Sequence, residues 1–230
     1  METPIALLGG TGKLGPGLAL RFARAGVPVV IGSRDAEKGA AAAAEVTAKL
    51  SAAGEDAAPV EGTANLDAAR RGRVAVITIP YEGQATLLPG LAEALHGKVV
   101  VSTAVPVTLE EGVGFTHLDV PEGSAAQQAA ALLPGAHVAA AFHSVSSAEL
   151  KRLAQPIDGH VVVTGDDAGA KSVAMEMVRL LPGARAVDGG PLRCARYSEY
   201  LTILLLTVNR IYKTHAGVML TNLPPEPEEA

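Results

Sequence analysis

The sequence predicts a doubly wound α/β protein of the Rossmann type, a parallel sheet with a smaller C-terminal α/β unit, and three observations predict it. An apolar run from Pro4 to Leu8 passes directly into Gly9-Gly10-Thr11-Gly12-Lys13-Leu14-Gly15. Strand-like and helix-like segments then alternate along the chain. The composition is 48% hydrophobic with 25 Gly, which suits buried strands covered by small-residue helices. Alternation of this kind requires parallel strands and right-handed crossovers. At 230 residues the chain holds one such domain and a smaller unit. The boundaries expected are 1–145 for the dinucleotide-binding domain, 146–222 for a small domain closing its cleft, and 223–230 for an acidic, Pro-rich disordered tail.

The first strand is the run ending at Leu8, and the helix after the glycines begins near Leu14. The second strand is Val27-Pro28-Val29-Val30-Ile31. From Asp35 to Ala53 an Ala-rich helix without a strong apolar face is expected, with Asp35 as its N-cap. A short third strand around Pro59 to Glu61, a helix from Leu66 to Arg71 and a buried strand from Val74 to Ile79 follow, and Pro80 ends that strand. One helix from Glu82 to Leu95 then leads to a fifth strand, Lys98 to Ser102. A polar, glycine-containing stretch from Glu110 to Gly123 precedes a helix from Ala125 to Leu133 and a strand from Val138 to Phe142. Beyond it come a helix near Ala148 to Leu153, a strand from His160 to Thr164, a helix from Ala168 to Leu181 capped by Asp166-Asp167, and a strand from Ala184 to Val187. The last helix runs from Arg196 to Tyr212, with Leu201, Leu204, Leu205 and Val208 packing onto the core or a second subunit.

Read from Gly10, the glycines spell G-x-G-x-x-G between a strand and a helix. That geometry aims backbone N–H groups and a helix N-terminus at a pyrophosphate, so Gly10, Thr11, Gly12, Lys13, Leu14 and Gly15 form the expected phosphate turn. An NAD site would place a carboxylate roughly 20 residues further on. Gly32-Ser33-Arg34 stands there instead, and with Lys38 it offers a hydroxyl and two cations to a 2′-phosphate, which points to NADP. An NTPase loop is excluded by Leu7 and Leu14 at positions that need Gly and Ser or Thr. None of the four tyrosines has a lysine four residues later, so the catalytic pair of short-chain dehydrogenases is absent. The strand ends Thr78-Ile79-Pro80 and Thr103-Ala104-Val105-Pro106 line the expected cleft.

A formal charge of −5 argues against a general nucleic-acid binder. The apolar segment Leu201 to Val208 is too short for a membrane span of about 20 residues. The single cysteine, Cys194, agrees with a cytoplasmic location and reads as a passive side chain. No metal-ligand spacing is present. Arg193 and Arg196 read as solvated charges, with the anionic groups of a coenzyme as the alternative. His143, at a strand end beside Ser144 and Ser146, reads either as a structural hydrogen-bonder or as a functional group that hydrogen-bonds a ring oxygen of a coenzyme or balances charge on its reduced ring.

The L-L-G-G-T-G-x-L-G start, G-S-R-x-x-x-K, the T-I-P and V-P strand ends, F-H-S-V-S-S and the G-D-D…D-G-G-P-L…E-x-L-T tail resemble, in order and spacing, the NADPH-dependent reductases of the 8-hydroxy-5-deazaflavin coenzyme F420. The resemblance runs from Pro4 to about Leu220. It implies reversible hydride transfer between NADP(H) and coenzyme F420, without a catalytic acid, nucleophile or metal. It also implies that Thr11 to Leu14 hold the pyrophosphate, that Ser33, Arg34 and Lys38 hold the 2′-phosphate, and that Ile79, Val105 and a residue after His143 hold the nicotinamide side. This chain has Ser146-Ser147 where a Pro-Ala-like pair is expected, so a contact by Ser147 would be made by backbone. A reductase of an imine or hydroxy acid, and a non-catalytic NADP(H) sensor, remain as alternatives. The final helix suggests a homodimer.

Overall fold

In the computed structural model, which describes residues 3–225, the N-terminal apolar run forms β1 (Ile5–Leu8) with all four residues buried. Its side chains alternate between the two faces of the sheet. Ile5 and Leu7 join a core with Leu18, Phe22, Val46 and Met177, and Ala6 and Leu8 join one with Ala68, Leu88, Leu95 and Ala126. A strand apolar at every position needs cover on both faces, and helices supply it.

Next come α1 (Gly15–Arg24), β2 (Val29–Ser33), α2 (Ala36–Ala52), β3 (Val60–Ala64), α3 (Asn65–Arg71) and β4 (Val74–Ile77). Asp35 caps α2 as expected, its carboxylate accepting from the Glu37 N–H at 2.9 Å. The helix does carry a buried stripe, Gly39, Ala43, Val46 and Leu50. It escaped a hydropathy reading because two members are Gly and Ala. A Cβ on Gly62 of β3 would lie 2.0 Å from the Gly39 carbonyl oxygen, so the helix packs this close only because neither residue has a side chain.

The single helix expected over 82–95 is broken. α4 (Tyr81–Leu87) gives way to a 3-10 turn at Leu88–Leu91 and then α5 (Ala92–Leu95), because Pro89 cannot continue an α-helical ladder. β5 (Val99–Ser102) follows. An antiparallel hairpin, β6 (Val107–Glu110) and β7 (Gly114–His117), to which no expectation is attached, runs into the polar stretch from Glu110 to Gly123. The chain continues with α6 (Ala125–Leu132), β8 (His137–Ala140), α7 (Ser147–Leu150), β9 (Gly159–Gly165), α8 (Ala168–Arg179), β10 (Ala184–Asp188) and α9 (Ala195–Tyr212).

The main sheet has the order β10-β9-β8-β5-β4-β1-β2-β3. Every neighbouring pair is parallel except β8 and β9, which meet antiparallel at Ala139↔Gly165 and Ala140↔Thr164. The strand order reverses between β1 and β4, which opens a crevice at their carboxyl ends. The boundary expected after residue 145 falls in the loop between β8 and α7, and the two strands beyond it, β9 and β10, extend the same sheet. Within the expected tail, residues 226–230 lie outside the described residues. No helix of the described residues is long and apolar enough to cross a membrane.

Candidate functional site: a cleft at the carboxyl ends of the strands

The glycine turn is built from the inside. Gly9 has φ +71°, and a Cβ there would meet Ile79 Cγ2 at 2.1 Å. A Cβ on Gly15 would lie 2.2 Å from the Gly10 carbonyl oxygen, so this glycine lets α1 sit directly on the turn. Gly12 differs, since its nearest neighbour would be 3.6 Å away and it is exposed. A side chain at Gly12 would therefore make only ordinary contacts with the protein. Gly10 N–H donates to the Gly32 carbonyl at 2.9 Å and Gly9 N–H to Asn65 Oδ1 at 2.9 Å, which lock the turn to the end of β2 and the start of α3. The first turn of α1 has neither a side-chain cap nor an acidic residue. Its positive end is uncompensated and fits an anion.

At the end of β2, Ser33 is buried and its Oγ accepts from the Asp35 N–H at 3.4 Å. Arg34 and Lys38 are exposed, and among the described residues neither pairs with a carboxylate. A hydroxyl and two free cations fit a phosphate dianion.

Across the crevice lies an open cleft of about 880 Å³. It brings together Gly12, Lys13, Leu14, Ile79, Val105, His143 and Ser147 of the expected residues. Gly10, Thr11 and Gly15 shape the turn beside it, and Ser33, Arg34 and Lys38 stand apart at the end of β2. The strand ends that carry Ile79 and Val105 are held by hydroxyls. Thr78 Oγ1 donates to the Leu8 carbonyl at 2.9 Å and Thr103 Oγ1 to the Ile77 carbonyl at 2.8 Å. Ser146 caps α7, accepting from the Ala148 and Glu149 N–H groups, while Ser147 lines the cleft.

His143 follows a strained residue. Phe142 is buried with φ +66°, a left-handed conformation that a bulky side chain rarely adopts, and it is held edge-on to Phe22 at 6.2 Å. Both ring nitrogens of His143 are buried and lack a hydrogen-bond partner among the described residues. Burial lowers its pKa from 6.5 to about 4, so the ring is neutral near neutral pH. The charge-balancing role considered for it therefore requires the ring to gain a proton from this neutral state.

The remaining wall comes from α9. Thr202, Leu205, Leu206 and Asn209 of α9 line the cleft at i, i+3, i+4 and i+7. Of the expected stripe Leu201, Leu204, Leu205 and Val208, Leu205 lines the cleft, and Leu204 is 58% exposed on the other side of the helix. Beyond the helix, Asn209 accepts from the Thr214 N–H through its carbonyl at 3.2 Å and from the Ala216 N–H through Oδ1 at 2.6 Å. These bonds fold residues 214–216 back over the cleft. Two further expectations change. Asp167 caps α8, but Asp166 accepts from the Leu192 N–H at 2.9 Å and so ties the end of β9 to the glycine break before α9. Arg193 is exposed as expected, whereas Arg196 is half-buried against Gly123.

A sheet with a reversal in strand order, a glycine turn feeding an uncapped helix and a cationic β2 end together define a dinucleotide-binding reductase fold. Residues 4–106 match the family model described as NADP oxidoreductase, coenzyme F420-dependent. The chain is 41% identical over 230 residues to the F420-dependent NADP reductase of Methanothermobacter thermautotrophicus, covering 98% of each chain. It is 39% identical to the enzyme of that name from Methanocaldococcus jannaschii, covering 95% of this chain and 98% of the relative. The chain belongs to the F420-dependent NADP reductase family. Among solved structures, a protein of Arthrobacter sp. provisionally assigned as an F420-dependent NADP reductase superposes with a TM-score of 0.78 at 26% identity, covering 95% of this chain and 99% of that one. An imine reductase of Bacillus cereus shares the fold, with a TM-score of 0.60 at 20% identity over 92% of this chain and 64% of that one.

Proposed function

We propose that this protein transfers a hydride reversibly between NADP(H) and the deazaflavin coenzyme F420, as a cytoplasmic homodimer. Family membership supports the reaction, and one observation carries the site. The cleft beside the glycine turn is walled by Ile79, Val105, Leu205 and Leu206, and among the described residues no carboxylate lines it. Transfer between two flat rings needs contact and dryness rather than an acid or a nucleophile. The nicotinamide and the deazaflavin supply the reacting carbons, and the chain supplies their alignment.

Within this reading the turn from Thr11 to Gly15 holds the pyrophosphate on backbone N–H groups. Ser33, Arg34 and Lys38 hold the 2′-phosphate. Ile79, Val105 and Ser147 hold the nicotinamide, with α9 and residues 214–216 facing it. His143, neutral and with both ring nitrogens unsatisfied, suits a hydrogen bond to a ring heteroatom. The dimer is supported by exposed apolar side chains on α9, Leu204 at 58% and Ile211 at 67%.

The test mixes the protein with NADPH and oxidised F420 and follows the absorbance of both. Loss of the two signals in a one-to-one ratio is expected. Intact NADPH binding without turnover across a range of pH would rule the reading out, and turnover of a cyclic imine instead would favour the alternative acceptor.

A further inference from the structure

Glu199 is fully buried, an unusual position for a carboxylate, and the hydride transfer proposed above gives it no task. Its two oxygens accept from the Ala125 N–H at 3.2 Å and the Ala126 N–H at 3.3 Å. Ser124 accepts from the Gln127 N–H at 3.1 Å. The first turn of α6 is thus closed by one cap of its own and one carboxylate borrowed from α9, satisfying donors that a helix N-terminus leaves without partners.

The position of Glu199 along α9 gives this contact its meaning. Ala195, Ser198 and Glu199 are the buried residues of the helix, and Thr202, Leu205, Leu206 and Asn209 continue the same stripe into the cleft. From residue 201 to 212 no side chain is buried. The cleft-lining half of the helix is therefore aimed by its buried first turns, with Tyr200 stacked on His117 of β7 and Asn209 bonded to residues 214–216 as its further ties. A rotation of α9 about its axis would swing Leu205 and Leu206 away from Ile79 and Val105.

We propose that Glu199 is the positioning residue of the acceptor side of the cleft: its carboxylate, docked on the N-terminus of α6, fixes the rotation of α9 and with it the wall that the deazaflavin meets. This rests on the reading of the cleft given above. The hold is geometric, because both carboxyl oxygens face N–H donors at the start of α6, and ionisation of the buried group weakens it. Burial raises the Glu199 pKa to about 7 against the opposing pull of the two N–H groups and Arg196. The other ionisable groups around it are Tyr81 on α4, Asp119 and Glu122 ahead of α6, and His117 on β7, stacked on Tyr200 at 4.2 Å.

The test compares wild type, Glu199→Gln and Glu199→Ala by steady-state kinetics and by hydrogen exchange. In Glu199→Ala the KM for oxidised F420 is expected to rise about tenfold, with the KM for NADPH within about twofold. Exchange should accelerate in residues 201–212 and not in α1 or α2. Glu199→Gln imitates the protonated acid. The ratio of the wild-type F420 KM to that of Glu199→Gln should be near one at about pH 5.5 and rise toward about pH 8.5, since any titration of the deazaflavin itself cancels in the ratio. Equal changes in both KM values, unchanged exchange in 201–212, or a ratio independent of pH would each overturn the proposal. If wild type binds NADPH but does not turn over, the functional reading fails by itself, and the exchange data still decide whether Glu199 holds α9.

Discussion

The two halves of the cleft are made in different ways. The nucleotide half is mostly backbone: a turn whose glycines are forced because a Cβ on Gly9 would stand 2.1 Å from Ile79 and one on Gly15 2.2 Å from Gly10, and a strand end that presents two cations to solvent. The acceptor half is side chains brought from far apart, His143 behind a strained Phe142 and an α9 stripe held by one buried carboxylate. A backbone site is local and tolerates little change within a few residues. A side-chain site is spread over the chain and depends on packing at a distance.

The sharpest way to break this contrast is to add one methyl group in two places. In Gly15→Ala the new carbon would stand 2.2 Å from the Gly10 carbonyl oxygen, so α1 must move off the turn. Displacements of roughly 1 Å cost on the order of 100-fold in such sites. Both Tm and NADPH affinity should fall. In Gly12→Ala the nearest protein atom would be 3.6 Å away, so Tm should hold while NADPH affinity falls. Thermal melts with and without NADPH separate the outcomes, and a Gly12→Ala protein that binds NADPH normally would mean that the pyrophosphate does not approach Gly12.

The acceptor half should show itself through pH. His143 is buried neutral with a pKa of about 4 against 6.5 in the unfolded chain, so the unfolded state binds more protons between those values. Stability from this group is present above about pH 6.5 and is lost as pH falls toward 4, by an amount of the order of 3 kcal/mol. Glu199 works the other way. Its pKa is raised from 4.5 to about 7, so the folded state binds the extra proton and stability declines as pH rises through that window. The two slopes oppose each other in wild type. Denaturant titrations at several pH values should find a nearly level profile there, a loss toward high pH in His143→Asn, and a loss toward low pH in Glu199→Gln. Matching slopes in the two variants would show that one of these groups is not buried as described.

The same division explains what could be read from the chain. The strand-turn-helix start, Asp35 as a cap, and the cation pair after β2 are recorded in neighbouring residues, and each lies where local chemistry places it. The α2 stripe was hidden because Gly39 and Ala43 do not register as apolar, although close helix-sheet packing selects them for being small. The hairpin of β6 and β7 was missed because Glu110, Glu111 and Gly112 look like solvent-facing loop. Glu199 and Asn65 could not be assigned at all. Their partners, Ala125 and Gly9, lie 74 and 56 residues away, and no local pattern connects them.

Arg34 sharpens the comparison on the nucleotide side. It is exposed and without a carboxylate partner among the described residues, so Arg34→Ala should leave stability unchanged. Loss of a charge-assisted contact to a 2′-phosphate is worth about 1.5–3 kcal/mol, and the KM for NADPH should rise roughly 10- to 100-fold. The KM for NADH and that for F420 should stay within about twofold. Equal effects on NADPH and NADH would place Arg34 away from the 2′-phosphate.

Lys13 carries the smallest effect and tests the backbone argument most directly. It is the only lysine in the turn and lines the cleft, so a side-chain reading of the pyrophosphate site would make it essential. The geometry says otherwise, because Lys13 is exposed, its charge is screened by solvent, and the turn already offers backbone donors and a helix N-terminus with no acidic residue to oppose an anion. Lys13→Ala should therefore change the KM for NADPH by less than about threefold, because an exposed charge contributes at most ~1 kcal/mol. The residual effect should shrink further as salt is added. A loss comparable to that of Arg34→Ala, persisting at high ionic strength, would mean that the pyrophosphate turn, like the 2′-phosphate site and the acceptor half, depends on a side chain for its grip.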